Sequence, residues 1–148
     1  MRVQDPHQDR AWSLRAVTLL AVASSVVAAI VSIDRGLPAD FAGILDGDSA
    51  NVLGEFLLWR GTAIAPPLSL IAAMAVLAFL APQHRVATRL LILIGAGGVV
   101  GYLGEPQTWS AHPVYTPLVI LGIALFGTVA VLGGRELRVD FAARTVAA

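Results

Sequence analysis

The chain of 148 residues has no cysteine, which removes thiol catalysis, a disulfide scaffold and cysteine-ligated zinc or iron–sulfur centres. Lysine is absent too. All ten basic residues are arginine, and ten acidic residues bring the formal net charge to zero. Without a basic excess there is no electrostatic footprint for nucleic acid, so no nucleic-acid partner is expected. Charge of either sign is scarce at 14% of residues, against 57% apolar residues and a mean hydropathy of +0.76. A water-soluble globule of this size would have too little charge to cover its surface, so the natural solvent for this composition is a lipid bilayer.

Long apolar runs are what the sequence does contain. About 20 mostly apolar residues cover the roughly 30 Å of bilayer hydrocarbon as a helix. Four stretches qualify: Ala16–Ile33, Gly61–Leu80, Val86–Leu103 and Pro113–Leu132. Within them only Arg89 is charged, one turn from a span end, where a long side chain reaches the headgroups. Arg2, Arg10 and Arg15 precede the first run as they would in a signal peptide. At 18 residues, however, that run exceeds the usual h-region, and the expectation is an uncleaved anchor.

Eight of the ten arginines fall in the N-terminal tail, the connection between the second and third runs together with the first turn of the third, and residues 133–148. Arg35 and Arg60 alone lie in the other two connections, beside Asp34, Asp40, Asp46, Asp48, Glu55 and Glu105. The positive-inside rule then puts both termini in the cytoplasm and segments 34–60 and 104–112 outside. The expected fold is an all-α, integral-membrane four-helix bundle. Its expected location is the plasma (inner) membrane, and many small four-span bacterial proteins share this layout.

Segment 34–60 is too long for a simple turn. Ser49 suits an N-cap, and Val52, Leu53, Phe56 and Leu57 repeat at helical spacing before Trp59 and Arg60, which predicts a short amphipathic helix at the outer interface. The alternative is one helix over 50–80, bent where Pro66 and Pro67 lack backbone donors. In the third span Gly97 and Gly101 form a GxxxG pair, predicting a helix-packing face for a helix of the same chain or of a second copy, with Ala23, Ser24, Ala28 and Ala29 of the first span as the favoured internal counterparts.

Groups able to carry chemistry collect at the outer boundary. Glu55, Glu105 and His112 are candidate acid and base residues, because an apolar setting disfavours the charged form of a carboxyl group and imidazole is the side chain suited to exchange protons near neutral pH. Arg60, Trp109 and Tyr115 are candidate ligand-binding residues beside them. The plain structural alternative is an interfacial aromatic belt and a surface ion pair between Glu55 and Arg60.

No metal site or cofactor is expected. His7 and His84 fall on the side opposite His112. Asp46-Gly47-Asp48 opens like a calcium loop, but Ala50 and Val52 supply no further side-chain ligands. No P-loop, GxSxG or HExxH motif occurs. No ionisable group sits mid-span. The mid-span hydroxyls Ser24, Ser25, Ser69 and Thr128 are expected to bond to carbonyls one turn back.

These features favour a non-enzymatic accessory or interaction subunit, in contact with lipid and with a membrane-protein partner or a second copy of itself, that binds a hydrophobic small molecule at its outer face. An embedded enzyme acting on an apolar substrate is the alternative, and a small carrier or pore a further one.

Overall fold

The computed structural model describes residues 6–41, 45–58, 60–81, 83–106, 109 and 113–146, of which 6–10, 41, 45–46 and 140–146 are described by their backbone alone. The fold is all-α. Helix α1 spans Pro6–Asp34, α2 Val52–Leu58, α3 Leu68–Leu80, α4 Arg85–Gly104, and α5 Thr116–Val146 after a single 3-10 turn at Pro113–Tyr115. A two-residue antiparallel ribbon, β1 (Asp40–Phe41) with β2 (Leu45–Asp46), lies in the connection after α1.

Three helices are long and apolar enough to cross a membrane, over Ala11–Asp34, Arg85–Gly104 and Pro113–Val139. The fourth expected span is not one helix. Only the 13 residues of α3 are helical, about 20 Å at 1.5 Å per residue, and Gly61–Pro67 ahead of it is not. Pro66 and Pro67 have no N–H for a helical turn, and Pro67, at φ −62° and ψ 153°, stands extended at the start of α3. Gly61 adopts φ +82°, and a Cβ there would meet the Ala65 carbonyl at 2.7 Å, so only glycine fits this reversal. Residues 50–80 therefore form two helices with a folded break between them.

The start of α2 also lies later than expected. Ser49 is not its cap. Asp48 closes an Asx turn by accepting the Ala50 amide at 2.8 Å, and the Asn51 carbonyl accepts the Glu55 amide at 3.1 Å, which makes Asn51 the N-cap residue.

Helix α5 packs along α4 and α1, and α3 packs against α1 and α4. Small residues and hydroxyls make much of the core. Thr18, Ala21, Ser25, Ala28, Ala29 and Ser32 form the buried stripe of α1, so the expected Ala23 is exposed and Ser24 only half-buried. Thr18 and Thr128 donate to the carbonyls of Leu14 and Ala124 four residues back, but the buried Ser25 and Ser32 hydroxyls have no partner. Large aliphatics instead face outward, among them Leu20, Ile30, Val76, Leu93, Val100 and Ile120. This inside-out distribution suits hydrocarbon around the helices.

The two ends of the molecule differ in charge. At one end Arg15 donates to the Ala78 carbonyl and lies over the Phe79 ring, Arg85 opens α4, and Arg135 and Arg138 stand on α5. At the other are Asp34, Arg35, Asp40, Asp48, Glu55, Arg60 and Glu105, knitted together by the connection from Leu37 to Ala63.

Candidate functional site

The break before α3 faces the glycine-rich side of α4. A non-helical backbone within an apolar fold must have its polar groups satisfied locally. Here Thr62 and Ala65 exchange backbone hydrogen bonds, the Ala63 amide donates to the Leu37 carbonyl at 3.3 Å, and the Tyr102 hydroxyl donates to the Ile64 carbonyl at 3.0 Å. Tyr102 thus ties α4 to the break through a side chain, and its ring meets Phe126 of α5 edge-on, with centroids 6.0 Å apart.

Between these elements lies a cavity of about 470 Å³, walled by Pro66, Pro67 and Leu70 on one side and by Gly97, Gly98 and Gly101 on the other. Tyr102, Phe126, Thr62 and Glu105 complete it. The volume falls in the range of small-molecule sites, and such sites are mostly apolar with few polar groups. Glycine creates the space. A Cβ on Gly97 or Gly101 would meet nothing within 4 Å.

Among the described residues no helix packs on Gly97 or Gly101, so the counterparts expected on α1 do not meet the GxxxG pair within one copy of the chain. Close approach of α4 to α5 is carried by Gly95, where a Cβ would stand 2.7 Å from the Phe126 carbonyl, and by Gly98, which lies under the Phe126 ring. On α5, Gly122 receives the Tyr102 ring and Gly133 the Ile92 side chain.

The candidate polar residues are distributed over separate places. Glu105, only 5% exposed, lines the cavity, and its Oε1 accepts the Asp40 amide at 2.8 Å. Its extended backbone follows from Pro106 behind it, which disfavours helical geometry in the preceding residue. Glu55, 8% exposed, is not among the cavity residues. Its Oε1 accepts the Asp48 amide at 3.2 Å and Arg60 Nη1 at 2.9 Å, while Oε2 is buried without a partner. The two carboxylates therefore hold the ribbon segment at Asp40 and Asp48. Tyr115 lines a different depression with Val31, Asp34 and Arg35, and Trp109 is exposed. His112 lies outside the described residues. Among the described residues no group of three or more His, Cys, Asp or Glu side chains gathers.

Sequence reasoning missed Tyr102, Phe126 and the Thr62–Pro67 break as elements of one site. Gly61 followed by Pro66-Pro67 was the available signal, since a glycine and two missing donors in seven positions interrupt a span. No protein-family model, curated protein or solved structure matches this chain.

Proposed function

We propose that this chain is a multi-pass integral membrane protein, a non-enzymatic accessory subunit that holds a hydrophobic small molecule or lipid chain in the cavity between the broken second span and α4. The observation that carries the reading is the cavity itself, with Gly97 and Gly101 opening it and a mostly apolar wall. Glu105 and Thr62 supply the few polar atoms that would orient an otherwise apolar guest.

In this reading the chain crosses four times, with α3 and the folded Gly61–Pro67 break together making the second crossing. Irregular backbone at that depth is tolerated where it lines a cavity, as it does here. The arginine end lies at the inner leaflet of the plasma membrane, both termini with it, and the acidic end faces outward. An acid–base role for Glu55 and Glu105 finds less support, because each carboxylate already accepts a backbone amide of the ribbon segment.

The test is purification in mild detergent followed by mass spectrometry of the extracted small molecules, on the parent chain and on a Gly97→Leu, Gly101→Leu variant. Neither leucine meets a neighbour at its Cβ, so the variant is expected to fold with its cavity narrowed, which an unaltered thermal unfolding midpoint checks. The parent is expected to carry a near-stoichiometric apolar compound that the variant has lost. Equal amounts in both, or none in either, would refute the reading.

A further inference from the structure

At the opposite end from the cavity, Arg85, Arg89 and Arg138 line one depression of about 300 Å³ together with Leu137. Arg85 and Arg89 lie one turn apart at the start of α4, whereas Arg138 comes from the far part of α5, so the fold rather than local sequence brings them together. Neither Arg89 nor Arg138 has an ion-pair partner among the described residues. The carboxylate of Glu136 lines the adjoining depression, with Ser13, Arg135 and Arg138, so Arg138 borders both hollows while Glu136 does not line this one. The like charges of Arg89 and Arg138 facing one hollow favour an anion between them, and guanidinium forks match phosphate oxygens in geometry.

We propose that this depression binds the phosphate of an anionic lipid headgroup. The inference rests on the bilayer reading above: two apolar helices leave the membrane at this end, which sets the hollow at headgroup depth with Leu137 toward the acyl chain. Basic pockets between membrane helices on the inner side are suited to such headgroups, and each arginine near the surface contributes about a fivefold preference.

Native mass spectrometry tests it on the full chain in mixed micelles doped with phosphatidylglycerol or phosphatidylcholine. The parent is expected to retain phosphatidylglycerol selectively. Arg89→Gln with Arg138→Gln should weaken that retention about thirtyfold, and Arg135→Gln should leave it unchanged. Both arginines of the double variant are exposed, and an unaltered thermal unfolding midpoint would establish that it folds. Equal retention of the two lipids, or undiminished phosphatidylglycerol on the double variant, would overturn the proposal. So would inorganic phosphate binding as tightly as the lipid, which would make the ligand a soluble anion. Recovery of the chain outside the membrane fraction would instead defeat the bilayer reading beneath it.

Discussion

Gly95→Ala, a single added methyl group, is expected to destabilise this protein by about 2–3 kcal/mol, whereas Gly97→Leu two residues further along the same helix is expected to cost nothing. The contrast follows from what each Cβ would meet. At Gly95 the obstacles are main-chain atoms of α5, the Phe126 carbonyl at 2.7 Å and the Ala130 amide nitrogen at 2.9 Å. Backbone cannot rotate aside as a side chain can, so the two helices must part, and the contact they share runs through the fully buried Phe126 and Val129. In the proposed bilayer setting that contact is held by close packing rather than by exclusion of water, so lost proximity is lost stability. At Gly97 the space is open, and leucine in place of glycine also favours the helix. Thermal unfolding of both variants in one detergent measures the difference. Similar losses for the two would show that α4 and α5 do not meet at Gly95 as described.

Arg60→Ala is expected to cost a further-reaching 2–3 kcal/mol, roughly the lower end for a broken buried ion pair because the Arg60 side chain is 29% exposed and that of Glu55 only 10%. The loss arises on Glu55. With Arg60 gone, its carboxylate keeps only the Asp48 amide as partner, and an oxygen already unpartnered stays buried. Removing the charge as well, in Glu55→Gln with Arg60→Ala, should recover at least about 1 kcal/mol relative to the sum of the single losses. Unfolding free energies of the two single variants and the double variant close the cycle. Additive losses would mean that the pair is a solvated contact with no part in holding the ribbon segment.

The long helices were legible in the sequence because length and hydropathy alone specify a membrane-crossing segment. Residues such as Arg85, at the first position of α4, and Pro113, opening the turn into α5, already marked their starts. The break at Gly61–Pro67 was only half legible. Its prolines announced an interruption, but hydropathy counts residues and not hydrogen bonds, so Ala63, Ile64 and Ala65 read as span although they form a bridged turn. The glycines of α4 were noticed and then given the wrong neighbours. GxxxG spacing identifies one narrow face, yet Gly95 and Gly98 lie on the face toward α5, and which of two glycine faces a partner takes is decided by the positions of Phe126 and Ala130 about thirty residues away. The same non-local cause hid the site. Nothing near Tyr102 in sequence foretells that its hydroxyl serves the Ile64 carbonyl. Glu55 and Glu105 were recognisable as unusual carboxylates, but not their attachment to the amides of Asp48 and Asp40.

The account as a whole requires that lipid lie between the acidic and arginine ends of the molecule. Because the chain has no cysteine, single substitutions Ser49→Cys and Gln83→Cys, both at exposed positions, report the two ends without background. Treated with a membrane-impermeant maleimide in intact cells, Ser49→Cys is expected to react and Gln83→Cys to react only after permeabilisation. Labelling of both in intact cells, or of Gln83→Cys alone, would contradict it.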